Sequence, residues 1–369
     1  MRNFHRTERD TGERNLLWTF LCIGASLLVL VLAGCAGGPS GRAEYVYVAA
    51  PEASLRDHVA TIYNKTGVVH NGERLQVLDR MQNKRFVRVR TPRGEEGWVQ
   101  ERYLADQQTF DQFQRLADQF RGSPAQAVAT IEDQVKVHQV KVHGVPGRKT
   151  GYLYMLNEKQ KVELLERQPV NRNAAPALAK DEKPKDADPD ADTSDDDAGS
   201  NNQPAIWEDW WLVRDSQRRV GWVLGQAFYL DVPGEIAQYA EGQRIVAVFP
   251  LDEVQDQGKK VSEYLVLLTE PKDGMPYDFS QIRVYTWNTR KHRYETAYRE
   301  RGLSGALPVS LGRQNFEKEG DLRTFTLRLK DENRSPRQQV YKFNSPMVRK
   351  VFAPGEGPVP KPHRKAGHS

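Results

Sequence analysis

Residues 208–230 run EDWWLVRDSQRRVGWVLGQAFYL, and their pattern sets the fold class of the chain. Apolar residues gather at Trp210, Trp211, Leu212 and Val213. A polar break follows, then Gly221-Trp222-Val223 and Phe228-Tyr229-Leu230. Aromatic and β-branched residues in short runs, separated by a polar break, predict a β-hairpin closed by a turn. An earlier stretch, residues 85–104, repeats the pattern as RFVRVRTPRGEEGWVQERYL. Upstream of it, Tyr45-Val46-Tyr47-Val48 alternates as a strand does, and Asn71-Gly72-Glu73 is a turn signal between apolar pairs. Short strands with polar turns in so few residues suit a small closed barrel.

The wording of these strands, N-G-E-x-x-x-V-L at 71–78, F-V-x-V-R at 86–90 and G-W-V-x-x-x-Y-L at 97–104, resembles the bacterial SH3 (SH3b) family. So do W-W-x-x-R at 210–214 and G-W-V at 221–223. The resemblance implies two SH3-like barrels, at 44–105 and 134–231. The repeat has a measurable offset. Leu55 and Val142, Val77 and Leu164, and Arg80 and Arg167 are each 87 positions apart. Phe86 and Trp210, Arg90 and Arg214, and Gly97 and Gly221 are each 124 apart. The extra 37 positions form one insertion in the second copy, at 168–204. There, nine acidic and four basic residues in 171–204 accompany several prolines and little that is apolar. Such a segment cannot bury enough surface to order itself, and loop entropy grows only logarithmically with length, so disorder is expected and tolerated.

In the SH3 family this loop borders the ligand groove. The resemblance therefore makes Trp210 the candidate groove platform and Trp211 its core-facing neighbour, with Phe86, Tyr103 and Tyr229 as the other candidate ligand-binding aromatics. The spacing from Trp222 to Tyr229 exceeds that from Trp98 to Tyr103 by two residues, a departure that bears on Tyr229. The alternative is that both tryptophans of the pair simply pack the barrel or the segment between barrels. Trp98 and Trp222 read as core or domain-interface residues.

Between the barrels, at 106–133, Phe110, Phe113, Leu116, Ala117 and Phe120 recur at helical intervals. Gly122-Ser123-Pro124 ends that helix, and Pro124 can start a second one carrying Val128 and Ile131. A helix pair packed between barrels is the expectation. Beyond the second barrel, residues 233–352 open with a short helix and continue as strands at 244–249, 263–269, 281–287, 294–300, 322–329 and 339–343. This predicts an antiparallel β domain, a sandwich or an open barrel. The tail at 353–369 is basic, proline-containing and expected to be disordered. The whole chain is thus expected to be mainly β.

The address lies at the N-terminus. Arg2, Arg6, Arg9 and Arg14 precede an apolar run over 16–32, and Leu32-Ala33-Gly34-Cys35 follows. A basic region, an apolar region and small residues make an export signal. Residues 32–35 resemble the bacterial lipobox, which implies that residues 1–35 are a lipoprotein signal and that Cys35 is the lipidated residue. The alternative is an uncleaved membrane-spanning anchor, since the run approaches the ~20 residues that cross a bilayer. Either places the rest of the chain outside the cytoplasm, on the periplasmic face. Ala36 after the cysteine favours the outer over the inner membrane, by analogy with the family.

The chemistry that remains is limited. Both cysteines, Cys22 and Cys35, lie in this N-terminal segment of a chain of 369 residues, so nothing downstream can serve as a cysteine nucleophile. The chain contains no H-E-x-x-H, G-x-S-x-G or P-loop pattern. His138 and His143 are five apart, which on a strand puts them on opposite faces. Asp188, Asp190 and Asp192 begin like a calcium loop, but Thr193 stands where glycine is required and Gly199 where the closing glutamate belongs. Hence no catalytic residue, metal or cofactor is expected, nor a nucleic-acid partner. The net charge is +5 although the insertion is acidic, so the remaining body is basic and suited to anionic surfaces. The expectation is a non-enzymatic envelope lipoprotein, anchored to the membrane, whose SH3b-like modules bind peptidoglycan peptide or glycan. The alternative is a scaffold holding a protein partner in an envelope complex.

Overall fold

A computed structural model describes residues 43–59, 63–82, 85–132, 139–173, 204–330 and 336–352. The expectations for the signal segment with Cys35, for most of the acidic insertion and for the basic tail lie outside these residues. Within them the chain is mainly β: three antiparallel sheets of seven strands each, plus one helix of more than a turn or two.

The first sheet uses β1 (Tyr45–Val48), β2 (Glu52–Arg56), β3 (Lys65–His70), β4 (Arg74–Arg80), β5 (Phe86–Arg90), β6 (Glu96–Gln100) and β7 (Leu104–Asp106). Its order is β3-β2-β6-β5-β4-β1-β7. The alternation legible in the sequence sends Ala53, Leu55, Val69, Leu75, Val87, Val89 and Val99 inward to one core. Intervening residues such as Arg56, Phe86, Arg88 and Trp98 then face outward.

The second sheet comprises β8 (Ala127–Ile131), β9 (Gln139–His143), β10 (Tyr152–Asn157), β11 (Lys161–Asn171), β12 (Trp207–Arg214), β13 (Val220–Leu224) and β14 (Phe228–Leu230). Its order, β10-β9-β13-β12-β11-β8-β14, repeats the first strand for strand. The glycine of the G-W-V motif has one physical cause in both copies. A Cβ on Gly97 would lie 2.8 Å from the Leu55 side chain, and one on Gly221 would lie 2.5 Å from Val142. The strands cross too closely there for any side chain.

Two expectations need correction. Residues 124–132 do not form a second helix: Ala127–Ile131 is β8, paired with β11 and β14, so the second barrel begins before residue 134. Alternating Ala127, Ala129 and Ile131 satisfy a strand as well as a helix over so short a run, and the pairing partners decide. The inserted segment also begins later than 168. Residues 168–171 continue β11, opposite residues 207–210, which lengthens that hairpin relative to its counterpart in the first barrel.

The helix α1 (Gln107–Gln119) starts on Asp106, whose side chain accepts a 2.7 Å hydrogen bond from Thr109 N. It acts as a wedge. Phe110 stacks on Tyr47 of the first barrel at 3.9 Å. Phe113 enters the second barrel's core 5.5 Å from Tyr154, and Phe120 packs on that barrel's outer face. The barrels also touch directly, since Asn71 Nδ2 donates to Leu153 O at 2.8 Å and Tyr152 OH to Arg102 O at 2.7 Å.

The third sheet is a sequential meander. It comprises β15 (Arg244–Asp256), β16 (Lys259–Thr269), β17 (Phe279–Asn288), β18 (Arg293–Phe316), β19 (Gly320–Leu329), β20 (Arg337–Asn344) and β21 (Met347–Lys350). Among the described residues β15 and β21 each pair with one neighbour, so the sheet is an open one. Its strands outrun the predicted ones because Gln257 and Gly258, both at positive φ, turn β15 straight into β16, a geometry suited to tight hairpins. One face shares a continuous apolar core with the second barrel. The other is covered by the single-turn helix α2 (Gly234–Ala237) and Tyr239.

Candidate binding face of the first barrel

The outward side of β2, β5 and β6 is where aromatic and charged groups meet. Arg56, the last residue of β2, has its guanidinium carbon 3.8 Å from the Tyr63 ring centre and 5.4 Å from that of Phe86. Trp98 lies in register with Arg56 on one side and Arg88 on the other. Arg88 and Arg90 both reach Glu96, at 3.0 and 2.6 Å. The hydrogen bond from Arg90 and the charge of both arginines hold the Glu96 carboxyl below its usual range. Arg80 pairs with Glu101. After β2, Asp57 accepts hydrogen bonds from Asn64 N at 2.9 Å and Asn64 Nδ2 at 2.8 Å, which ties together the two ends of the β2–β3 loop that presents Tyr63. The face therefore holds the exposed ring of Tyr63 and the half-buried rings of Phe86 and Trp98 beside fixed guanidinium groups, a surface that takes a planar or anionic polar ligand over an apolar footing.

Offsets of 87 and 124 transfer this face residue by residue to the second barrel. Arg56 becomes His143, Tyr63 becomes Thr150, Phe86 becomes Trp210, Arg88 becomes Leu212, Glu96 becomes Val220 and Trp98 becomes Trp222. The pairing follows: Trp222 lies in register with His143 and Leu212, as Trp98 does with Arg56 and Arg88. The chemistry does not follow. Trp210, Leu212, Val220 and Trp222 join Phe120 and Leu165 in one apolar cluster, with Trp210 only 2% exposed. Arg214 Nη1 donates to the carbonyls of Phe120 and Ser123 at 3.2 and 3.0 Å, fastening the end of α1 over the cluster. His143 Nδ1 lies 2.9 Å from Thr150 Oγ1 and 3.1 Å from Thr150 O. Its ring meets Trp210 edge-on at 5.2 Å, and burial lowers its pKa to about 4.

The four predicted aromatics thus separate. Trp210 is not an exposed platform. Its strand position does face away from the inner core, which Trp211 joins, but α1 covers the outer side. Phe86 sits at the candidate face beside Arg56. Tyr103 lies half-buried at the following 3-10 turn, its ring 4.9 Å from the Arg102 guanidinium, on the side where Arg102 meets Tyr152 of the second barrel. Tyr229 is half exposed, but it occupies the position of Ala105; the place of Tyr103 is taken by Ala227. The apparent two extra residues are no insertion, because β13, its 3-10 turn and β14 keep the 124 offset throughout. Tyr229 lines a cavity of about 730 Å³ between the second barrel and the third sheet, with Trp211, Gln226, Gln243 and Arg244. In its wall Arg167 and Arg244 are paired with Asp209, at 3.3 and 3.1 Å. The sequence signals left Arg56 and Tyr63 unmarked and read Trp98 as a core or domain-interface residue. The alternation Ala53-Ser54-Leu55-Arg56 already turned Arg56 outward, but nothing in one dimension put Tyr63 over it. Among the described residues no group of three or more His, Cys, Asp or Glu is placed to hold a metal ion, and no helix is long and apolar enough to cross a membrane.

Residues 52–105 match the family model described as bacterial SH3 domain. The first barrel holds a bacterial SH3 domain. The match runs from β2 to β7 and so takes in the whole candidate face. No curated protein matches the chain. Similar solved structures include NlpC2 from Trichomonas vaginalis, at 8% identity over 70% of this chain and 97% of that one, with a TM-score of 0.16. NlpC1 from the same organism gives 9%, 71%, 90% and 0.17. An NlpC/P60 family protein from Bacillus cereus gives 11%, 68%, 93% and 0.19. Scores of that size carry no conclusion about fold or activity.

Proposed function

We propose that this is a non-enzymatic protein of the bacterial cell envelope whose first barrel binds the peptide or glycan of the cell wall, held at the membrane through Cys35 and facing the periplasm from the outer membrane. The observation that carries the reading is the contrast between equivalent faces. The SH3 domain at 52–105 keeps rings and guanidinium groups accessible on β2, β5 and β6, whereas the second barrel has its own α1 in that place. A basic chain meeting an anionic polymer adds attraction over distance. Co-sedimentation of the full chain, in detergent, with purified sacculi tests it. Wild type pellets and Phe86→Ala stays largely in the supernatant; equal pelleting of the two counts against the face, and no pelleting counts against wall binding.

The scaffold reading has one observation of its own. The edge strands β14 and β15 border the cavity of about 730 Å³ beside Tyr229, and unpaired strand edges are places where an extended partner segment can add. Purification of one defined protein with the full chain, lost in Tyr229→Asp and retained in Phe86→Ala, would favour it.

A further inference from the structure

Among the arginines around the candidate face, Arg56 differs from its neighbours. Arg88 and Arg90 share the carboxylate of Glu96 and Arg80 pairs with Glu101, while Arg56 has no carboxylate partner among the described residues. It is half-buried, and its guanidinium is held by ring contacts at 3.8 Å to Tyr63 and 5.4 Å to Phe86. Contacts of that kind use the faces of the rings and not the N–H groups, all in the guanidinium plane, which have no acceptor among the described residues. Fixing the fork in advance lowers the entropy lost when an acceptor arrives. A planar group with two acceptor oxygens is what such a fork matches, and carboxylate–guanidinium pairs are often bidentate.

From this geometry we infer that Arg56 is the residue that recognises a carboxylate of the ligand, so that the ligand of the first barrel is a peptide bearing free carboxyl groups. The inference rests on the wall-binding reading and names the group that the face selects. The second barrel supports it by contrast. At the same position His143 is uncharged at neutral pH, its Nδ1 is spent on Thr150, and an apolar cluster fills the space where a ligand would sit. The copy without the arginine is also the copy without the open face. Among the described residues Arg56 makes no ion pair that its substitution would break; what the substitution removes is its contact with the Tyr63 and Phe86 rings.

The test uses the full chain in detergent and purified sacculi, either untreated or with their carboxyl groups converted to amides by carbodiimide and ammonia. Three variants are compared with wild type: Arg56→Gln, Arg56→Lys and, as a control for charge alone, Arg93→Gln in the exposed turn between β5 and β6. A charge-assisted hydrogen bond of ordinary strength corresponds to about a tenfold loss or more in affinity for Arg56→Gln on untreated sacculi. Arg56→Lys loses nearly as much, because an ammonium cannot present the fork, and Arg93→Gln stays within about twofold. Amidation weakens wild type by about tenfold more than it weakens Arg56→Gln, since both lose the general attraction and only wild type also loses the Arg56 contact. If amidation weakens wild type and Arg56→Gln equally, or Arg93→Gln loses as much as Arg56→Gln, the attraction is one of general charge and the inference alone falls. If wild type does not pellet with untreated sacculi, the wall-binding reading falls and takes the inference with it. Matching thermal unfolding of all four proteins separates each of these results from a folding defect.

Discussion

The two barrels share strand order, the glycine crossing of β6 over β2 and of β13 over β9, and the register of their outward tryptophans. They differ in what stands on the outward positions. The first has Arg56, Phe86, Arg88 and Glu96 where the second has His143, Trp210, Leu212 and Val220. A strand addresses its two faces through alternate residues, so inward residues can preserve a barrel while outward ones change from a surface into an interface. One copy is left facing solvent and the other becomes the seat of α1.

The sharpest way to break this comparison is to exchange outward residues. Leu212→Arg, which writes the first barrel's residue into the second, buries a charge in the cluster of Phe120, Trp210 and Trp222 and should cost about 4 kcal/mol or more. The failure would appear as lost soluble expression or a collapsed urea midpoint. Trp210→Ala should cost about 3–5 kcal/mol through the cavity it leaves, measured by urea unfolding, with wall binding by the folded fraction unaffected. A loss of binding without loss of stability would instead restore Trp210 to a ligand-contacting role.

A third test uses pH. The folded-state pKa of His143, about 4, lies below its ordinary value of 6.5, with burial as the main cause. The stability that the neutral ring contributes is complete above pH 6.5 and is lost as pH falls from there through 4, an effect of about 3 kcal/mol. Unfolding midpoints at pH 7 and pH 4.5 should diverge in wild type and converge in His143→Gln; an undiminished dependence in the variant would assign it to other groups. Next in size is Asp106→Ala, which removes the cap of α1 and should cost about 1 kcal/mol, with faster amide exchange in the first turn of α1. The smallest effect belongs to Arg88→Leu, the reverse of the first exchange. On an exposed strand position it should stay within about 0.5 kcal/mol, and a larger change would mean that the face is less accessible than its partner pairs imply.

Much of the architecture was legible in one dimension. The paired offsets of 87 and 124 located equivalent strands, and the periodicity of Phe110, Phe113, Leu116 and Phe120 located α1. The misreadings share a cause. Val128 and Ile131 suited either a helix or a strand, and only pairing with β11 and β14 decided between them. Tyr229 resembled Tyr103 by neighbouring letters, yet register gave that place to Ala227. Of the candidate site, Phe86 was visible through its motif. Tyr63 was not, because it reaches Arg56 across the β2–β3 loop, and loop geometry leaves no period in sequence.

What the sequence determined by itself was the set of inward residues, and with them the mainly β fold and its repetition, because alternation and glycine placement are local properties of a strand. Which outward face stays open was decided only in three dimensions. Leu116 and Phe120 announce an apolar helix face without saying what it covers. The docking of Phe113 beside Gly221 and the hold of Arg214 on the carbonyls of Phe120 and Ser123 bring that face down on the second barrel and leave the first one free.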